Sequence, residues 1–191
     1  TLKFLFITKQ HIKRCKMKTF DFGSGPVPAR QHVNGSGWVA DTASVDDTVF
    51  VGATGRVSGN ASVIGSARVS GNASITDNVR VSGTARISGN AILSNKCIVF
   101  GDAEISGNAK VFGHAWVSGN VRVSGDVQIY DKPRVYGYAR ISDKARVSGN
   151  AQVFGDAHVF GDAEISGNAQ VFGDAHVFGG AQVGGESRVN D

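Results

Sequence analysis

The stretch AQVFGDAHVFGDAEISGN, residues 151–168, is followed at once by AQVFGDAHVFG, residues 169–179. The long repeat is eighteen residues, and inside it lies a shorter one of six. Every sixth residue from Val39 to Val189 is Val, Ile or Leu, twenty-six consecutive positions without an insertion. Two residues before each stands a second column, mostly Ala, as at Ala61, Ala67, Ala73 and Ala181, with Cys97 among them. Residues two apart in a strand share a face, so both columns point inward and the variable residue between them points out. Gly follows two residues after the aliphatic, then Asn or Asp, which is corner chemistry. A short strand and a corner every six residues cannot close a core unaided. The chain must coil, and three hexapeptides per turn make a triangular solenoid of about nine turns, roughly 40 Å long at the spacing of paired strands.

The pattern A-x-V-S/F-G-N/D, as in ARVSGN (145–150) and AQVFGD (151–156), resembles the hexapeptide repeat of left-handed parallel β-helix proteins. That superfamily includes acyltransferases and gamma-class carbonic anhydrases. The density of GNA and GDA corners is most similar to a transferase-like subgroup of bacterial and phage genomes. The resemblance spans 37–191 and implies an all-β left-handed parallel β-helix, with a trimer packed along its prisms as the expected assembly. Ahead of it, residues 17–36 hold Gly, Pro and the apolar Phe20, Phe22 and Val27, with Trp38 just beyond, and read as an irregular N-terminal cap over the first sheet edge.

The isoelectric point near 9.2 invites a nucleic-acid reading. Residues 1–16, however, carry Lys3, Lys9, Lys13, Arg14 and Lys16 and no acid. Setting those five aside leaves fifteen basic against sixteen acidic residues in 17–191. The basic character belongs to residues 1–16, read either as a leader or tail with Met17 the natural start or as a short strand or helix that covers one end of the domain. No apolar run approaches the ~20 residues of a membrane span, and the order of charge and apolar residues is not that of a secretory signal. Cys15 and Cys97 have no paired spacing for a disulfide framework or a zinc site. A cytoplasmic setting is the expectation.

Eighteen-residue spacing sorts the outward residues into three faces. One shows Arg68, Arg86, Glu104, Arg122, Arg140, His158 and His176 before the aliphatic, and Ser70, Ser88, Ser106, Ser124, Ser142, Phe160 and Phe178 after it. Like charges on adjacent rungs repel, so Arg68, Arg86, Arg122 and Arg140 must be solvated or find anions, and a polyanion groove is the sharper expectation. Sequence-specific nucleic acid is not expected, since no aromatics interleave with the arginines. The second face carries Ile64, Ile98, Phe100, Trp116, Tyr136, Phe154 and Phe172, read as a continuous apolar stripe and hence a homo-oligomer interface. The third mixes Arg56, Ser74, Ile92, Lys110, Gln128, Arg146 and Glu164 with Phe112 and Tyr130. After it, a corner column runs Asn60, Asn78, Lys96, His114, Lys132, Asn150, whose stacked amides are expected to bond one another.

Hexapeptide acyltransferases use a His as general base, and His114 between Lys96 and Lys132 is the candidate the resemblance implies, the ammonium groups serving the phosphate of an acyl donor. No loop leaves the repeats to wall off a pocket there. Gamma-class carbonic anhydrases gather three histidines around a metal. His158 and His176 stack one turn apart and offer two, with His32 as a remote third. No cofactor motif is present. The reading that covers most of the chain is therefore a rigid structural or interaction module that self-associates through the aromatic face.

Overall fold

The computed structural model describes residues 18–190, so the basic leader, with Cys15 and Met17, lies outside the described residues. Among these there is no helix, and twenty-eight strands form sheets of eleven, nine and eight strands. The chain is a parallel β-solenoid. From Trp38 to Val189 each strand pairs with the strand eighteen residues on, as in Arg122↔Arg140 and Val123↔Ile141. The register is constant because the sequence has no insertion.

Both inward columns are buried along the prism, from Val39 and Ala43 to Ala175 and Val177. The β-branched majority is stiff at χ1 and suits a pleated, fully buried surface. Backbone N–H groups of one turn donate to carbonyls seventeen residues on, for example Arg122 N to Ala139 O at 3.0 Å and Ser124 N to Ile141 O at 3.0 Å. Every backbone group of a two-residue strand is thus paired only by stacking of turns, which makes a single turn unstable alone.

The corners turn on one left-handed residue. At Gly107 φ is +68°, and a Cβ there would meet the Gly125 backbone at 2.6–2.8 Å. Four corners nevertheless use Asp77, Asn95, Asp131 and Asp143 at φ of 60–70°. Each carries its own compensation: the side chain accepts the N–H of the left-handed residue one turn on. Asp77 Oδ2 takes Asn95 N at 2.8 Å, Asn95 Oδ1 takes Gly113 N at 3.2 Å, Asp131 Oδ2 takes Gly149 N at 3.1 Å and Asp143 Oδ2 takes Gly161 N at 2.9 Å. Short polar side chains tolerate this conformation because they bond locally.

The amide relay expected along Asn60, Asn78 and Asn150 is found mainly at a different corner. Asn72 donates to Asn90, Asn90 to Asn108 and Asn108 to Asp126, at 3.1, 2.9 and 2.8 Å. In the expected column only Asn150, Asn168 and Glu186 are linked; Lys96, His114 and Lys132 interrupt the run of amides, and Asn60 and Asn78, though neighbours, do not bond through their side chains.

The cap, expected to be irregular, is instead regular. β1 (Thr19–Asp21) and β2 (Pro26–Gln31) form an antiparallel hairpin, and β2 pairs antiparallel with β3 (Trp38–Ala40), the first repeat strand. Asp21 Oδ1 accepts Gly23 N and Gly25 N to hold the turn. Phe20 stacks on Trp38 with ring centroids 4.6 Å apart. His32 is buried beneath this cap, its Nδ1 accepting Asn34 N at 3.2 Å. The same Nδ1 is 3.2 Å from Asn34 O, and Nε2 is 3.1 Å from Asp46 O.

Candidate functional site

On the arginine face each rung is set by two-residue strands, so outward side chains before and after the aliphatic form two parallel rows. Glu104 stands between Arg86 and Arg122, as the order of the sequence places it, and the four arginines are held differently. Arg68 lies over the Phe50 ring at 4.7 Å, and Arg86 donates to Glu104 Oε1 at 2.8 Å. Arg122 Nε stands 3.7 Å from the second carboxylate oxygen of Glu104. Among the described residues Arg140 has no carboxylate partner. A cleft of about 240 Å³ opens here, lined by Arg122, Ser124, Arg140, Ser142, His158 and Phe160 above the strands at Ile141 and Val159. His158 is held below the ordinary histidine range, first by desolvation and then by the Arg140 guanidinium and His176.

The His158 and His176 rings lie 4.9 Å apart and tilted by 52°. His32 cannot join them as a ligand, because its ring nitrogens face backbone of Asn34 in the cap and of Asp46 in the first turn. Among the described residues no three His, Cys, Asp or Glu side chains are grouped to hold a metal ion.

The aromatic face is interrupted where the sequence suggested continuity. Ser82 stands between the rungs of Ile64 and Phe100, and Ser118 between those of Phe100 and Tyr136. Tyr136, Phe154 and Phe172 do stack, at 4.8 and 5.1 Å and within 7° of parallel, and Arg188 closes the stack 5.3 Å above Phe172. These rings shield one another and are half-buried, as are Ile98 and Phe100. Ile64 and Trp116 remain exposed, at 43% and 42%. Trp116 stands edge-on to Phe100 at 5.3 Å, and a groove of about 400 Å³ runs from this pair past Ser118 to Arg134, Tyr136 and Gln152.

His114 is exposed on its corner, and Lys96 and Lys132 occupy the same corner one turn to either side. Two open grooves of about 460 and 380 Å³ flank it, walled by corner residues Asn95, Asp131 and Asn150. A general base needs a substrate held against it, and neither groove encloses one.

The groove absent from the sequence reading lies between cap and solenoid. It measures about 610 Å³ and is lined by Phe22, Val27, Pro28, Ala40, Thr42, Ser58 and Asp77. Its only sequence signal was the apolar content of the cap, which could not reveal that the hairpin folds back beside the first turns. Cys97 is buried among the small inward residues, and burial pushes its thiol up to about 12, so it is a core residue and not a nucleophile.

A model of the YdcK Beta solenoid repeat matches three stretches of the chain, residues 115–131, 139–155 and 169–185. Each begins on a small inward residue, Ala115, Ala139 or Ala169, and spans nearly one turn, so the match is in phase with the six-residue repeat. No curated protein and no solved structure matches the chain.

Proposed function

We propose that the chain is a rigid interaction module that works by presenting fixed outward rows and that associates with further copies of itself, as a trimer, through the aromatic face. The observation that carries this reading is the row of Phe100, Tyr136, Phe154 and Phe172 on one sheet, with Trp116 exposed beside it and Ile64 further along. Rings and aliphatics in a single row on a sheet bury apolar area at low entropic cost when a second flat surface meets them. Strands follow one another at six-residue intervals from Trp38 to Val189, so among the described residues no excursion obstructs such a contact. Hexapeptide acyltransferases, the relatives implied by the repeat, pack along their prisms, and the same packing suits this face.

The test is the solution mass of the full chain by light scattering across concentrations, with Trp116→Ser/Tyr136→Ser as the paired variant. A discrete trimer that the variant reduces to monomer supports the reading. A wild-type monomer, or a trimer indifferent to the variant, overturns it.

A further inference from the structure

The arginine face carries a feature that the self-association reading does not use. The four arginines are chemically unequal: Phe50 takes Arg68, Glu104 takes Arg86, and the same carboxylate reaches Arg122 only at 3.7 Å. Free cationic capacity is therefore concentrated at Arg122 and Arg140, which are register partners on adjacent strands and so stand about 5 Å apart at the backbone. Across the aliphatic, the same two rungs carry the small hydroxyls of Ser124 and Ser142. One rung further on the small residue is replaced by Phe160, 36% exposed and stacked on Phe178 at 5.4 Å. The row of serines thus ends against a ring, and the cleft sits at that junction.

We propose that this cleft binds a tetrahedral oxyanion ester, a sulfate or phosphate monoester of a ring compound, with the oxyanion between Arg122 and Arg140 and the ring against Phe160. A planar carboxylate offers two oxygens, which one guanidinium fork satisfies, leaving the second cation unmatched. A tetrahedral oxyanion offers three free oxygens in different directions, enough for both forks and a serine hydroxyl. The ester-linked ring then covers the apolar surface of Phe160, which inorganic anion leaves wet. His158, whose pKa is lowered by desolvation and then by Arg140 and His176, adds an imidazole to the wall of the cleft. Arg68 and Arg86, already engaged, lie outside the site. This distinguishes a discrete pocket from a polyanion groove running the length of the face.

The experiment is calorimetric or NMR titration of the full chain with 4-nitrophenyl sulfate, 4-nitrophenyl phosphate and inorganic sulfate. Saturable binding of either ester is expected. Arg140→Gln and Arg122→Gln should each weaken it by roughly fivefold or more, the loss of a charge-assisted contact. Arg68→Gln should leave it within about twofold, because that guanidinium is held on Phe50. Phe160→Ala should weaken the aryl ester and spare inorganic sulfate. All four side chains are at the surface, and unchanged melting temperatures confirm that the variants fold. Absence of saturable binding, or an Arg68→Gln loss equal to that of Arg140→Gln, overturns the proposal, as does an aryl ester indifferent to Phe160→Ala. The readout is independent of oligomeric state, so failure here and failure of the trimer are separate results.

Discussion

The aromatic and arginine faces share one backbone and one inward code, and differ only in what stands outside. On the first, Tyr136, Phe154 and Phe172 satisfy one another by stacking. On the second, Arg86 and Glu104 pair, while Arg140 and the exposed edge of Phe160 are left with unmet capacity. Two faces so unlike in chemistry rest on the same eighteen-residue register, which teaches that outward side chains contribute little to the fold and are free to be specialised. The sharpest way to break that separation is to compare an inward with an outward substitution on neighbouring strands of one sheet. Ile105→Ala empties a fully buried site and should cost about 2–5 kcal/mol of stability. Arg122→Gln, on the next strand of the same sheet and outward, should stay within about 0.5 kcal/mol. Chemical denaturation of both variants reads the difference, and comparable losses would mean that the surface rows hold the solenoid together.

A smaller effect is expected at the corners, which belong to all faces alike. Gly107→Val asks a β-branched residue to adopt φ +68° and drives its Cβ toward the Gly125 backbone. The conformational strain alone is worth about 1–3 kcal/mol. Asp131→Gly, by contrast, relieves the same backbone region and loses the bond to Gly149 N, so the two terms largely offset. Thermal unfolding should rank Gly107→Val well below the parent and Asp131→Gly close to it. A large loss from Asp131→Gly would show that the side-chain bonds between turns are a principal support of the stack.

Periodicity made the fold readable, because an inward column tolerates only Val, Ile or Leu and announces itself every six residues. The constant register followed from the absence of insertions, and the three faces from arithmetic on that register. What the sequence concealed were choices between partners of similar reach. Arg68 had Phe50 and Arg86 on either side, and only the structure shows its guanidinium on the ring. The aromatic row looked continuous because alternate columns were read together, and Ser118 divides it once rungs are separated. The cap hid its strands because Gly23, Gly25, Pro26 and Pro28 read as loop, yet Pro26 only opens β2 and Pro28 lies just outside the pairing with β3, which begins at Ala29. The cleft beside Phe160 needed the change from Ser142 to Phe160 to be seen as the end of one row and the start of another.

The finest test of the contrast between faces is a titration. His158 is held below the ordinary histidine value of 6.5, with burial the larger cause and Arg140 the next. Folded chain thus binds the proton less well than unfolded chain, and stability falls slightly as pH drops from the ordinary histidine range through the folded pKa. Removing the guanidinium by Arg140→Gln leaves the desolvation in place, so the His158 midpoint should rise only part of the way toward 6.5 and that pH dependence should shrink without vanishing. NMR titration of the His158 ring protons in parent and variant measures the shift directly. An oxyanion ester bound between Arg122 and Arg140 should raise the same midpoint in the parent, since a negative charge beside the imidazole favours its protonated form, and should do so less in the variant. If the midpoint ignores both the substitution and the ester, Arg140 and His158 do not share a cleft, and the unlike chemistry of the two faces amounts to surface variation on a common solenoid.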